Sequence, residues 1–215
     1  MLRTVRAGSG RTPEADPLAW RGVFVAVPLL VFVALAALVR ADPKPDLDER
    51  LLMLLSGYAE GSVLGDAAEF LAVACLWAGA IILLAVLGAL SIRRRFASAL
   101  FLGSVIVGSL VLEKALKQAI ERAAINHEQT YSFPSGSATV SLAVVVALAL
   151  LSGYRRRRWA FAAGAGVVVV YGLSIVSLGW HYPTDVVAGW CVAVALASAL
   201  WFALGKPTFE PAGAS

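Results

Sequence analysis

The chain has 215 residues, of which 60% are hydrophobic and only 15% are charged, and its mean hydropathy is +0.80. A soluble domain usually carries about a quarter charged residues, and here the apolar residues form long uncharged blocks, so an ordinary soluble domain is excluded. The formal net charge of +4 comes largely from Arg runs beside those blocks, which indicates topology signals and lipid-headgroup contacts, with no nucleic-acid partner.

Six uncharged runs are long enough, or nearly so, to cross a bilayer core, which takes roughly 17 to 25 residues. Counting the runs in chain order, we expect the helix of the fourth run to begin near Ser135 and that of the fifth run to end before His181. The helix of the third run can extend through Glu113 and Lys114. The pattern predicts an all-α, polytopic membrane protein with six transmembrane helices. The runs are 22–39, 70–92, 96–112, 131–154, 159–181 and 186–205.

The two ends of the chain are predicted to be tails. We expect residues 1–20 to form a disordered cytoplasmic tail, residues 21–205 the membrane domain, and residues 206–215 a second cytoplasmic tail. A cleaved signal peptide is not expected, because the first apolar run lacks a small-residue cleavage site and ends at Arg40. Twelve of the 18 basic residues fall on one side of a six-span arrangement, and the positive-inside rule makes that side, with both termini, cytoplasmic.

Three connections fall on the opposite, outer side: residues 40–65, 113–134 and 181–185. In the first, prolines should stop the first helix, and the apolar stretch 51–55 is too short to span, so we expect an interfacial helix there. Asp66 and Glu69 should begin the second long helix. Nearly all the polar chemistry therefore lies on one face, opposite the Arg runs.

The two cysteines, Cys75 and Cys191, lie inside apolar runs. Buried free thiols are the expected state. The sequence has no disulfide framework and no CxxC pair for zinc, so no metal site is expected.

The segment Pro134-Ser135-Gly136-Ser137 stands at the start of the fourth run. Ser135 is a good N-cap residue, and the backbone N–H groups after it would point out of the positive end of the helix dipole. Gly136 would let a phosphate approach that backbone closely. The segment predicts either an anion site or simply a capped membrane helix.

His181 and Asp185 are spaced four residues apart at the start of the sixth run. If the helix begins around Pro183, the two side chains can face each other across its first turn. A carboxylate bound to one imidazole nitrogen leaves the other free as a nucleophile or base. The alternative is an interfacial His beside an Asp cap.

Three segments together resemble the type-2 phosphatidic acid phosphatase superfamily, also called the lipid phosphate phosphatases: residues 116–122, 131–136 and 180–189. The third match is specific, the second fairly specific and the first weak. The resemblance implies a six-helix membrane domain that hydrolyses a lipid phosphomonoester through a phosphohistidine, with no metal ion or other cofactor.

The resemblance also implies roles for individual residues. His181 corresponds to the nucleophile and Asp185 to the residue that orients it. Lys117, Ser135 and Gly136 correspond to residues that hold the phosphate.

The chain departs from the family pattern at three positions. Ser137 stands where the family has the His that protonates the leaving alcohol, and Ala124 and Ile175 stand where it has phosphate-binding arginines. Counted from Lys114, Arg122 lies one residue away from the position of the family's first-motif arginine. Ser137 and Arg122 both stay among the candidate phosphate-binding residues.

A rescue by neighbouring residues is a further hypothesis. In it, His127, the second of only two histidines, supplies the leaving-group proton, and Arg122 replaces an absent arginine. The alternative is that both are solvated side chains at a headgroup surface.

Two functions remain open at this point. The first is a lipid phosphate phosphatase acting on a phosphate carried by an acyl or polyprenyl chain. The second is a catalytically impaired relative that binds a lipid phosphate or acts as a membrane partner subunit. A transporter is a weaker third option, because no span carries a charge near its centre. Membrane lipids are the expected partners, and a bacterial inner membrane with the site on the extracytoplasmic side is the expected location.

Overall fold

A computed structural model of the chain describes residues 17–56, 62–125, 131–152 and 154–204. Within these ranges the chain forms seven α-helices and no strand. They are α1 (Pro17–Ala41), α2 (Asp46–Ser56), α3 (Val63–Ile92), α4 (Phe96–Ile120), α5 (Gly136–Leu151), α6 (Tyr154–Ser177) and α7 (Pro183–Ala203). The first helix begins inside the expected N-terminal tail 1–20; the remainder of that tail and the tail 206–215 lie outside the described residues.

Helix ends follow local signals in the sequence. The first helix ends just before Asp42-Pro43, and Ser62 caps α3 by accepting a hydrogen bond from the backbone N–H of Gly65. Ser135 caps α5, and Pro183 occupies the first turn of α7. The predicted starts of these two helices are therefore confirmed, as is the short helix expected around residues 51–55.

The connection expected at residues 113–134 is partly wrong, because α4 continues two turns beyond its apolar run, to Ile120. Glu113 and Lys117 form an i,i+4 ion pair of 2.8 Å, which allows these charged residues to remain helical. Glu121 then adopts a left-handed conformation with φ of 54° and ends the helix.

The centre of the bundle is α5, which packs against α4, α6 and α7. The first helix packs along α7, α3 packs along α6 and α4, and the short α2 rests on α6 and α7. Small residues on α5 and α7, such as Ala143, Ala147, Ala193 and Ala197, are fully buried. Because small side chains let helix backbones approach closely, they explain why these two helices form the core.

The outer surface of the bundle is strongly apolar. Leu30, Phe70, Leu84 and Ile92 are each more than two-thirds exposed. In the part of the chain that the structure describes, five helices are long and apolar enough to cross a membrane, namely α1, α3, α4, α6 and α7, whereas α5 has 16 residues. An apolar outer surface on long apolar helices is stable in lipid and not in water, so this is an integral membrane protein.

The two Arg runs lie at the end of the bundle remote from the polar loops. Arg93–Arg95 separate α3 from α4, and the run 155–158 begins α6. The opposite ends of α4 and α6 lie about 35 Å away, at a rise of about 1.5 Å per residue. At that other end, Arg40 in the last turn of α1 donates to the carbonyl of Ala119 in α4, which joins the two helix ends.

Candidate functional site

The first turn of α5 is the centre of the polar end of the bundle. Ser135 is fully buried, and its hydroxyl accepts a hydrogen bond of 3.4 Å from the backbone N–H of Ala138. Its carbonyl accepts from both the N–H and the hydroxyl of Thr139, at 3.0 and 2.7 Å. Gly136 and Ser137 remain partly exposed, so the positive end of the α5 dipole is open where the sequence predicted an anion site.

The start of α7 is joined directly to the start of α5. The backbone N–H of Ser135 donates to the carbonyl of Asp185 at 2.9 Å. One turn later, Gly189 lies so close that an added Cβ would be 2.7 Å from the Ser135 carbonyl oxygen and 2.8 Å from the Thr139 hydroxyl. The structure therefore brings together the second and third motifs, and a glycine at position 189 is what allows the approach.

His181 lies at this junction and is only 5% exposed. Its Nδ1 is 3.7 Å from an Asp185 carboxylate oxygen, within ion-pair distance but too long for a hydrogen bond. That nitrogen has no hydrogen-bond partner within the described part of the chain. Catalytic hydrogen bonds are often long before a substrate binds, so the spacing is compatible with an orienting role for Asp185.

The Asp185 carboxylate is held from two other directions. One oxygen accepts a bond of 3.1 Å from the backbone N–H of Tyr182, which closes a capping box at the start of α7. The other accepts a bond of 2.5 Å from the Arg122 guanidinium. These bonds fix the carboxylate on the His181 side of the helix.

Arg122 is the hub of a buried polar network. Its Nε donates to the Pro43 carbonyl at 2.9 Å, one terminal nitrogen donates to Asp185 and to Thr184, and the other donates to Asp48 at 2.7 Å. The whole residue is 3% exposed. In this arrangement the guanidinium is turned toward the protein interior, where it ties three chain segments together.

Asp48 on α2 completes the network and was not singled out in the sequence. It is fully buried and accepts hydrogen bonds from the backbone N–H and the hydroxyl of Thr184. The Arg122 guanidinium also stacks on the Tyr182 ring, 3.9 Å from its centroid. Burial raises the pKa of the Tyr182 phenol and Arg122 opposes this only in part, so the ring stays neutral beneath the cation.

Lys117 lies at the same end of the bundle, where it forms an ion pair with a carboxylate. Its Nζ is 2.8 Å from Glu113, and the Glu113 side chain rests against Gly136, where an added Cβ would lie 2.7 Å from its oxygen. Lys117, which the resemblance assigns to phosphate binding together with Ser135 and Gly136, therefore lies near those two residues at the start of α5. Glu113 was not singled out in the sequence, although its spacing of four residues from Lys117 predicts such a pair.

The positions that depart from the family pattern have distinct surroundings. The Ser137 hydroxyl lies 3.5 Å from that of Ser135 and beside the phenol of Tyr171 on α6. Ile175 is fully buried in an apolar cluster with Ala138 and Val186. This position therefore supplies packing instead of a cationic group. The candidate acid His127 lies outside the described residues.

Within the residues that the structure describes, no group of three or more His, Cys, Asp or Glu side chains is arranged to hold a metal ion. What the site offers is a helix N-terminus, one partly exposed lysine, and an imidazole beside a fixed carboxylate. Such groups can hold an oxyanion and attack it with a nitrogen nucleophile.

Comparisons with known proteins point to one superfamily. Residues 114–208 match the family model of the PAP2 superfamily. The chain is 37% identical over 119 residues to a lipid A 1-phosphatase of Rhizobium etli and 38% identical over 114 residues to that of Rhizobium johnstonii. These matches cover 48% and 46% of this chain, and the chain spans about half the length of these relatives, 47% and 42%.

A solved structure shares the fold. It is a transmembrane PAP2-type phosphatidylglycerolphosphate phosphatase from Bacillus subtilis, 23% identical, with a TM-score of 0.70 over 83% of this chain and 94% of that one. The superfamily resemblance predicted from the three motifs is confirmed by these comparisons.

Proposed function

We propose, starting from the PAP2-superfamily match of residues 114–208, that this chain is a membrane phosphatase that hydrolyses a lipid phosphomonoester through a phosphohistidine at His181. The observation that carries the proposal is the hydrogen bond from the Ser135 N–H to the Asp185 carbonyl. It holds the first turn of α7, which directly follows the His181 segment, against the amides at the start of α5. The nucleophile and the anion cradle, on separate chain segments, are therefore held at one junction.

In this proposal the phosphate lies on the backbone amides of Gly136 and Ser137, with Lys117 as its cation. His181 attacks the phosphorus through Nε2, and Asp185 keeps the proton on Nδ1 and stabilises the charge that develops on the ring. Arg122 acts by positioning Asp185, because its guanidinium is bound within the protein.

The proposed setting is a six-span protein of a bacterial inner membrane, with α5 as its short fourth span. Both termini lie in the cytoplasm and the site faces the extracytoplasmic side, because the Arg runs lie at the other end of the bundle. The two Rhizobium relatives are named lipid A 1-phosphatases, so a phosphorylated glycolipid is the first substrate to test.

A second function is supported by specific observations. Ile175 fills an apolar cluster where the family has an arginine, and Ser137 replaces the general acid. A positioned general acid contributes roughly 10²–10⁴-fold in rate, so its loss favours a protein that binds a lipid phosphate with little turnover. This alternative keeps the same ligand class and the same anion cradle.

Phosphate release from a panel of lipid phosphates by purified protein in lipid nanodiscs separates the two functions. The panel holds phosphorylated lipid A, phosphatidylglycerolphosphate, phosphatidic acid and a polyprenyl phosphate. We expect release by the wild type, at least a hundredfold loss in His181→Ala, and an acid-labile phosphoprotein in the wild type alone. Lys114→Gln, an exposed change on α4, is the matched control. Binding without release would favour the second function, and release unaffected by His181→Ala would refute the first.

A further inference from the structure

A buried carboxylate lies at the mouth of the proposed phosphate cradle. The side chain of Glu113 is 9% exposed, and Lys117, its partner at 2.8 Å, is 20% exposed. A Cβ built on Gly136 would lie 2.7 Å from the Glu113 carboxylate oxygen and 2.8 Å from its carboxyl carbon. The carboxylate is therefore in contact with the first residue of α5, beside the amides that would hold an anion.

The same lysine and the same helix start serve both the carboxylate and the proposed phosphate. A dianionic phosphate on Gly136 and Lys117 would lie beside the Glu113 carboxylate. Two like charges side by side repel each other, and this repulsion favours the uptake of a proton by one of them. Protonation of Glu113 is the simplest outcome, because its carboxyl group can then donate a hydrogen bond to the phosphate.

The other charged groups near α4 do not replace Glu113 in this role. Asp185 on α7 is held by Arg122, and α5 carries no titratable side chain between Gly136 and Leu151. Arg40 on α1 donates to the carbonyl of Ala119 on α4, and His181 is the proposed nucleophile of the same site. The remaining titratable groups on the described parts of the helices packed on α4 are exposed carboxylates or thiols. They are the exposed Asp66 and Glu69 and the thiol of Cys75 on α3, and the thiol of Cys191 on α7.

We propose that Glu113 is the proton-exchanging residue of this site, in place of the acid absent at position 137; this inference rests on the proposed function. Glu113 takes up a proton as the phosphate group binds. When His181 attacks and the phosphorus–oxygen bond breaks, the electron pair goes to the lipid oxygen, which takes the Glu113 proton and leaves as an alcohol. The Glu113 carboxylate then accepts a proton from the water that attacks the phosphohistidine, and inorganic phosphate and free His181 result.

The first test uses inorganic sulfate, a tetrahedral dianion that does not change its own protonation near neutral pH. Calorimetric titrations of the full chain in buffers of different ionisation enthalpy measure the protons taken up on binding. We expect about one proton for the wild type at mildly alkaline pH and a clearly smaller uptake for Glu113→Gln. The variant should also bind sulfate roughly tenfold more tightly at that pH, because the like charge is gone. Glu121→Gln, an exposed carboxylate change, is the control and should match the wild type.

The second test measures hydrolysis of the best lipid phosphate from the panel. Glu113→Gln should lose roughly 10²–10⁴-fold in kcat with KM unchanged or lowered, and should lose the decline of kcat with rising pH. Equal proton uptake in the two proteins, no sulfate binding in either, or a kcat within a few-fold of the wild type would overturn the inference. If sulfate binding is coupled to proton uptake by Glu113 but the wild type hydrolyses no lipid phosphate, the role of Glu113 at the anion site is retained and the proposed phosphatase activity is refuted.

A measurement in the His181→Ala protein, which lacks the imidazole that could take up the same proton, keeps the inference testable if Glu113→Gln does not fold. Sulfate affinity should then rise as the pH falls, with a slope of about one proton per sulfate bound. A sulfate affinity independent of pH would refute the coupling.

Discussion

The backbone N–H of Ser135 and the carbonyl of Asp185 form a 2.9 Å hydrogen bond that joins the start of α5 to the first turn of α7. The Ser135 N–H has no acceptor inside its own helix, since it belongs to the cap residue. The bond therefore satisfies a buried helix terminus and at the same time sets the distance between two motifs.

Gly189→Ala should destabilise the protein by about 1–3 kcal/mol, because the new Cβ would press on the Ser135 carbonyl and the Thr139 hydroxyl, neither of which can move freely. Thermal unfolding in detergent measures the change. Gly103→Ala on α4 is the control: nothing lies within 4 Å of its added Cβ, so it should be neutral or stabilising by up to about 1 kcal/mol. Equal behaviour of the two variants would contradict the close approach of α5 and α7.

Arg122→Gln should cost about 3–5 kcal/mol, since it leaves the buried carboxylates of Asp48 and Asp185 without their cation. The midpoint of thermal or denaturant unfolding reports this loss. Lys114→Gln, which removes an exposed positive charge two turns earlier, should stay within about 0.5 kcal/mol of the wild type. A loss below about 1 kcal/mol in Arg122→Gln would mean that its guanidinium is solvated and free to bind phosphate.

A double-mutant cycle of Asp48→Asn and Arg122→Gln should show a coupling of about 0.5–3 kcal/mol, because each change removes the partner of the other. Unfolding free energies of the four proteins give the coupling directly. The same cycle with Lys114→Gln in place of Arg122→Gln should be additive. Additivity in the first cycle would show that α2 does not bind the network.

Ser137→His should raise the hydrolysis rate by more in the Glu113→Gln protein than in the wild type. A histidine there would supply the leaving-group proton, which is worth roughly 10²–10⁴-fold when no other acid is present. Single-turnover rates of phosphate release measure both gains. Ser141→His, one turn further into α5, is a control for the added imidazole and should give no gain. Equal gains from Ser137→His in the two backgrounds would argue against the idea that Glu113 and the new histidine supply the same leaving-group proton.

Glu121→Gly should stabilise the protein by up to about 1 kcal/mol, because Glu121 ends α4 with a left-handed φ of 54° and glycine adopts that conformation without a steric penalty. Arg94→Gly tests the same effect at a second left-handed position, with φ of 55°. Thermal unfolding compares both with Glu121→Ala, which retains the Cβ. A stability of Glu121→Gly below that of Glu121→Ala would contradict the left-handed cap.

The helices could be predicted largely because their signals are local. Long apolar runs mark the spans, and Ser135, Pro183 and the prolines after α1 mark their ends within a few residues. The extension of α4 through Glu113 and Lys117 was only partly foreseen. Its charged residues read as a loop in the sequence, whereas in the fold they pair with each other and pack against α5.

The junction of the two motifs was predictable from the sequence, and the buried network was not. Ser135, His181 and Asp185 stand in segments whose types and spacing point to phosphate chemistry. The contacts of Arg122 with Asp48 and with Asp185 span 74 and 63 residues, and no periodic pattern encodes such a separation. Asp48 also lies in a stretch with several other acidic residues, so composition alone could not select it.

The link from Thr184 to Asp48, across 136 residues, has a consequence for biogenesis. During synthesis α2 and α4 reach the membrane before α7. Until α7 is in place, Arg122 therefore has only part of its final set of hydrogen-bond acceptors. A nascent or damaged chain that fails to place α7 keeps an incompletely paired cation at the bilayer border. An incompletely paired charge at that depth is costly, so the newly made chain reaches its stable form only when α7 is in place.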